Sequence, residues 1–219
     1  MIELLFMRKD YRSLAKGTMI PFLPGVNLLV GDQGCGKSTI LQCLVALGGV
    51  KRSFWKKDQT KDIKEVAMLL VKKPLPVFAH DYENDSPRTS PAMDCMGQLP
   101  MGMTIGHMRG SHGQSSREIN RLIGEQKNAY IILDEPDSGL SCRSALVLAN
   151  DMKKAVAQGC QVIASVHHPW LIEQFKMVYS VERHQHMTSE KFLESMRDVP
   201  TFETPAPEAL AEPVEATEP

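Results

Sequence analysis

The chain contains no apolar run approaching the ~20 residues that a helix needs to cross a bilayer. Its start, MIELLFMRKDYR, lacks the apolar core and small-residue cleavage site of a signal peptide. These absences disfavour membrane insertion and secretion, and a cytoplasmic location is expected. An excess of charge of one sign is also missing. Lys and Arg number 25 against 26 Asp and Glu, a net charge of −1, so global charge implies no polyanionic partner. There is no Cys-x-x-Cys pair: the 5 cysteines (Cys35, Cys43, Cys95, Cys142 and Cys160) are scattered and odd in number, which disfavours a disulfide framework or a zinc site and reads as reduced thiols. No internal repeat is present, and the roughly seventy residues between Thr39 and Ser111 carry no sustained heptads, which excludes a long coiled coil there.

What is present is ordinary globular composition, with 42% hydrophobic and 23% charged residues over a length of 219 that suits one α/β domain. Short apolar runs predict strands at Glu3–Met7, Val26–Val30, Leu75–Ala79, Ala129–Leu133, Gln161–Val166 and Val178–Val181. Between them, helical spacing runs through Lys37–Leu47, Lys61–Val71, Ser115–Ile123, Cys142–Ala157 and Ser189–Met196. This alternation implies a mainly parallel sheet flanked by helices, with the first strand in an antiparallel edge or side sheet. The domain is expected to span residues 1–199. Residues 200–219, rich in Pro, Glu and Ala and free of Lys and Arg, are expected to form a disordered acidic tail. Ser86–Gly110, rich in Pro, Gly and Met, is long for an ordinary connection and reads as a functional loop whose methionines are packing filler.

The strand at Val26–Val30 runs into Gly31-Asp32-Gln33-Gly34-Cys35-Gly36-Lys37-Ser38-Thr39. The pattern G-x-x-x-x-G-K-[ST] between a strand and an apolar helix is a phosphate-binding loop, the P-loop or Walker A motif. Its glycines let backbone N–H groups turn toward phosphate oxygens, Lys37 adds a point charge, and Ser38 supplies a hydroxyl ligand for magnesium. The helix that starts near Lys37 directs its positive end at the same anion. Cys35 reads as a small residue at a variable loop position rather than as a reactive thiol.

A second buried strand, Tyr130-Ile131-Ile132-Leu133, ends in Asp134 and Glu135. A carboxylate in the place of Asp134 holds the magnesium ion through its water shell in phosphate-loop enzymes, as a Walker B aspartate. Glu135 is placed to polarise a water for in-line attack on a γ-phosphate, which selects hydrolysis of ATP over phosphotransfer. The expected cofactors are therefore ATP and Mg2+.

Asp134-Glu135-Pro136-Asp137-Ser138-Gly139-Leu140-Ser141 resembles the Walker B motif and D-loop of the ATP-binding cassette (ABC) superfamily, with Ser141 where Asp is usual. Ser141 suits the N-cap of the next helix. Val162-Ile163-Ala164-Ser165-Val166-His167-His168-Pro169 resembles the switch-histidine segment of the same family, and Pro169 sets His167 at the switch position, with His168 as the alternative. The resemblance implies an ABC-type P-loop NTPase fold, with catalytic roles for Glu135, His167 and Lys37. It also implies a signature ahead of Walker B, for which Ser111-His112-Gly113-Gln114 is the candidate. Ser115 and Glu118 form a capping box there, so a helix begins beside it, and Arg117 falls where the family often has a basic residue. No glutamine stands at the expected Gln-loop; His80, Asp81, Tyr82 and Glu83 follow the strand instead, with an acidic residue to contact magnesium-bound water. The overall form is closest to compact ATPases of bacteria and bacteriophages.

In this family the phosphate loop of one copy is completed by the signature of another, which implies an ATP-dependent, head-to-tail homodimer that drives a conformational switch. A basic segment, Lys51, Arg52, Lys56, Lys57, Lys61, Lys64, Lys72 and Lys73 with Phe54 and Trp55 among them, offers a surface for nucleic acid against the plainer reading of a solvated face. Alternatives are an ATP-gated protein-binding switch or an accessory viral or defence factor with slow turnover, its protein partner open, and the ATPase subunit of a transporter.

Overall fold

A computed structural model describes residues 1–49, 57–82 and 120–197, the side chains of 57–61 excepted. In chain order the strands are β1 (Ile2–Met7), β2 (Met19–Pro21), β3 (Val26–Val30), β4 (Ala67–Val71), β5 (Val77–Asp81), β6 (Tyr130–Asp134), β7 (Gln161–Ser165), β8 (Met177–Ser180) and β9 (Gln185–Thr188). The helices are α1 (Lys37–Leu47), α2 (Lys57–Val66), α3 (residues 120–125), α4 (Cys142–Ala157), α5 (Pro169–Ile172) and α6 (Ser189–Arg197).

Strands β5-β6-β7-β3-β8-β9 form one sheet in that order, parallel from β5 to β8 and closed by an antiparallel hairpin to β9. The central strands are apolar along their whole length because both faces are covered. Leu28, Val30, Ile131, Leu133, Val162 and Ala164 face Leu148, Ala149 and Met152 of α4. The alternate residues Leu29, Ile132 and Ile163 face Ile40, Leu41 and Leu44 of α1. Period-two alternation along the strands thus divides the interior into two layers. Helix α4 has the bounds its spacing predicts, and Ser141 caps it by accepting from the Ser144 amide.

The side sheet is antiparallel, β2-β1-β4, in agreement with the expected place of the first strand. Here the structure corrects one element. Lys61–Val71, expected as a single helix, divides into the end of α2 at Val66 and strand β4. Ala-Met-Leu-Leu-Val fits a helix stripe and a strand equally well, and the deciding influence is nonlocal. β1 pairs Met7 with Ala67, Phe6 with Met68, Leu5 with Leu69 and Leu4 with Leu70. In this register Ala67 is buried while Met68 and Leu70 face outward at 41% and 52% exposure, the period of a strand. A smaller correction moves β5 to Val77–Asp81 from Leu75–Ala79, because its parallel register pairs Val77 with Tyr130 and Asp81 with Asp134. Helix α6 extends one residue past its expected end, and the short elements β2, β9 and α5 carry too little pattern to be expected.

The two sheets are joined by a buried amide. The Gln161 side chain accepts from the Ile2 amide at 2.8 Å and donates to the carbonyls of Ile2 and Leu23 at 2.9 and 3.0 Å. Burial pushes the Cys43 thiol pKa up to about 12 and raises that of Cys160, so both remain protonated near neutrality, and neither forms a disulfide among the described residues. Among the described residues no helix is long and apolar enough to cross a membrane. Replacing Gln161 with Leu keeps the volume but takes the side-chain partner from the Ile2 amide and carbonyl, while the Leu23 carbonyl still accepts from Asn27, and urea denaturation is expected to show a loss of about 2 kcal/mol; an unchanged midpoint would show that the amide does not join the sheets.

Candidate active site

Parallel pairing brings the C-terminal ends of β3, β5, β6 and β7 to one edge of the sheet, and the sequence motifs lie at those ends. Past β3 the chain turns through Gly31, Gly34 and Gly36 at φ of 142°, 85° and 112°. Gly36 is also required by space, since a Cβ there would lie 2.5 Å from Ser13 Oγ and 3.4 Å from Leu14 Cδ2. Helix α1 begins at Lys37 with no side-chain cap on its first turn, so its N-terminal N–H groups keep the donor capacity that an anion would use. Lys37 is 5% exposed, and its ammonium donates to the carbonyls of Gly31 and Asp32, each at 2.8 Å. Thr39 is buried behind the loop.

The end of β6 meets this loop. Ser38 Oγ donates to Asp134 Oδ1 at 3.2 Å, so the hydroxyl and carboxylate predicted as magnesium ligands lie together. Oxygen donors of this kind suit Mg2+, which takes one or two protein ligands and fills the rest of its shell with phosphate and water. Among the described residues no group of three or more His, Cys, Asp or Glu is arranged to hold a metal. Burial raises the pKa of Asp134, and the charges of Asp81 and Glu135 add to it against hydrogen bonds from Ser165 and Ser38. Asp81, at the end of β5, is directly opposite Asp134 in the ladder, in the place where the sequence lacks a Gln-loop glutamine.

One buried hydroxyl organises the two Walker B carboxylates. Ser165, at the end of β7 and 0% exposed, donates to Asp134 Oδ1 at 2.6 Å and accepts from the Glu135 amide at 2.8 Å. Glu135 has φ of 50°, a left-handed conformation that costs a non-glycine residue energy and re-aims its side chain out of the strand. There Glu135 Oε1 lies 3.4 Å from His167 Nε2. Asp137 fixes the histidine segment, accepting at Oδ2 from the amides of His167 and His168 at 2.7 and 2.6 Å. The two histidines differ in surroundings: the His167 ring is half-exposed beside Glu135, whereas His168 is the N-cap of α5 and its buried Nδ1 has no hydrogen-bond partner among the described residues.

A cleft of about 620 Å³ opens beside these groups, lined by Asp32, Gln33, Glu135 and His167 and by Phe192 and Met196 of α6. The structure thus brings together Gly31–Thr39, Asp134, Glu135 and His167. Ser111, His112, Gly113 and Gln114 lie outside the described residues, as do Ser86–Gly110, Lys51–Lys56 and the tail from Pro200. Ser165 and Asp137 are missed by sequence reasoning as site residues. The signal for Ser165 is a hydroxyl at the end of the apolar run Val162-Ile163-Ala164; for Asp137 it is a third acid directly after Asp134-Glu135-Pro136, which the structure buries to 5% exposure.

A family model described as an AAA domain matches residues 9–98. The cobalt import ATP-binding protein CbiO of Salmonella typhimurium is 27% identical over 210 residues, covering 84% of this chain and 78% of that protein. The dimeric structure of MJ0796, a bacterial ABC transporter cassette, is similar at a TM-score of 0.52 and 14% identity, covering 86% of this chain and 99% of that one. A nucleotide-free ATP-binding cassette from an ABC transporter is similar at a TM-score of 0.51 and 14% identity, covering 90% and 96%. These likenesses show the cassette fold: a mainly parallel sheet with an antiparallel side sheet.

Replacing Ser165 with Ala orphans the Glu135 amide and removes a donor to Asp134, and is expected to cost about 2 kcal/mol in denaturant unfolding. Ser165→Thr keeps the hydroxyl and is expected to recover most of that loss; equal losses in both variants would show that the hydroxyl is not the organising group.

Proposed function

We propose that this chain, an ATPase domain of the ATP-binding cassette superfamily, hydrolyses ATP with Mg2+ in a head-to-tail homodimer and uses the cycle as a conformational switch. The observation that carries the catalytic part is Glu135 at φ 50°, its carboxylate 3.4 Å from His167 beside the phosphate loop. In this reading the N–H groups of residues 34–39 and Lys37 hold the β- and γ-phosphates. Ser38 and Asp134 hold the magnesium ion, which when bound offsets charge on the phosphate oxygens. Glu135 takes a proton from water as its oxygen bonds to the γ-phosphorus; the bond to the ADP oxygen breaks, leaving ADP and inorganic phosphate. His167 hydrogen-bonds the γ-phosphate and orients that water.

The dimer reading rests on Ser111–Gln114 as the signature that completes the phosphate loop of a second copy, and the dimeric cassette with the same fold supports it. With Glu135→Gln, turnover is expected to fall about 100-fold or more with ATP binding retained. His167→Ala is expected to lose turnover by a similar factor. Light scattering of Glu135→Gln with ATP and magnesium is expected to give a dimer, and a strictly monomeric protein would contradict the dimer reading.

A second reading, the ATPase subunit of a transporter, is favoured by the similarity to CbiO, whose name describes cobalt import. The output is read by capture on the ATP-trapped Glu135→Gln form, together with turnover measured with and without DNA. Recovery of an integral membrane protein supports the transporter reading. DNA-stimulated turnover supports a nucleic-acid role for the Lys51–Lys73 segment, of which Lys64, Lys72 and Lys73 are exposed. Tight ATP binding with negligible turnover supports the protein-binding switch.

A further inference from the structure

The hairpin from β8 to β9 reaches the phosphate loop from the side opposite β7. β8 runs parallel to β3, with Leu29 opposite Tyr179 and Val30 opposite Ser180, and the Val181 amide continues the ladder by donating to the Val30 carbonyl at 2.9 Å. That register carries Glu182 level with Asp32, and Glu182 Oε1 accepts from the Asp32 amide at 2.7 Å. The same stretch of backbone is held from its other side by Lys37, through the carbonyls of Gly31 and Asp32. A Cβ at Gly31 would lie 2.9 Å from Cys35 Sγ, so the glycine serves the loop's own turn, and 3.6 Å from Glu182 Cδ and Cγ, the arm packing against it at ordinary contact distance. The first residues of the loop are therefore fixed on both N–H and C=O before the chain turns through Gly34 and Gly36.

Sequence pattern assigns Glu182 no role, yet it lines the same cleft as Gln33, Glu135 and His167, with Arg183 beside it. It is exposed and lies at the rim of the site. A carboxylate lining a cleft that takes a triphosphate repels that anion, so its presence there calls for a contribution to the loop itself. A charge-assisted bond to a backbone amide is what the geometry shows it doing.

We propose that Glu182 is a positioning residue for the phosphate loop. Its carboxylate pins the Asp32 amide so that the N–H groups from Gly34 onward keep their aim, and the β8–β9 hairpin thereby sets nucleotide affinity without touching the reacting atoms. This rests on the reading that the loop takes ATP.

The test compares wild type, Glu182→Ala and Glu182→Gln by titration with ATP and magnesium, by steady-state turnover, and by the amide resonance of Asp32 in the nucleotide-free protein. Glu182→Ala is expected to weaken ATP binding about fivefold, with kcat at saturating ATP within about twofold of wild type, because the hydrogen bond acts on binding and not on the chemical step. Glu182→Gln keeps a carbonyl acceptor and is expected to bind within about twofold of wild type. The Asp32 amide resonance should move upfield in Glu182→Ala and by a clearly smaller amount in Glu182→Gln, whose neutral carbonyl accepts without the charge. Unchanged affinity in Glu182→Ala overturns the proposal, as does tighter ATP binding in both variants, which would make the carboxylate a source of repulsion. A wild type that binds no ATP sinks the functional reading instead, and the Asp32 resonance then decides the contact alone: an unmoved peak in Glu182→Ala overturns it.

Discussion

Parallel pairing of β3 with β7, and of β7 with β6, is the constraint on which the rest of this structure depends. It places the ends of three strands at one level, so residues far apart in the chain meet there: Lys37 and Ser38 after β3, Asp134 and Glu135 at the end of β6, and Ser165 and His167 at the end of β7. Apolar burial on both faces holds this register, because a slip by one residue would move each side chain of a central strand into the opposite layer. The site is therefore an edge property of the sheet, and its precision comes from the core beneath it.

Within that edge the polar groups are connected and not merely near. Ser165 joins the buried Asp134 carboxylate to the amide of Glu135, Asp137 holds the histidine segment, and Ser38 reaches Asp134 from the loop. Each bond satisfies a group that would be costly to bury alone. The left-handed backbone at Glu135 is held within this network, with its amide on Ser165. Burial that raises the pKa of Asp134 also makes a cation beside it more favourable, which is the electrostatic logic of a carboxylate facing a metal and a triphosphate.

The phosphate loop and the Asp134-Glu135 pair are legible in the sequence because the glycines, lysine, hydroxyl and acids are contiguous and punctuate buried strands. The resemblance carried His167 further, and the surroundings of the two adjacent histidines now distinguish them: one ring lies beside Glu135, and the other residue caps α5. Less legible is whatever long-range pairing decides. Ala67–Val71 reads as helix until β1 claims it as a partner, with Met7 opposite Ala67 and Phe6 opposite Met68, far away along the chain. Glu182 and Ser165 are single polar residues whose meaning comes from partners 150 and 31 positions distant, Asp32 and Asp134, which no local pattern can report. Parallel register supplies what periodicity cannot.

The central claim is that these strand ends make a site in which water attacks the γ-phosphorus of ATP with Glu135 taking the proton. Turnover of ATP in water enriched in oxygen-18, followed by mass analysis of both products, tests it most directly. The account predicts label in the inorganic phosphate and none in the ADP, with release nearly abolished in Glu135→Gln; label in the ADP, or undiminished phosphate release by that variant, would contradict it.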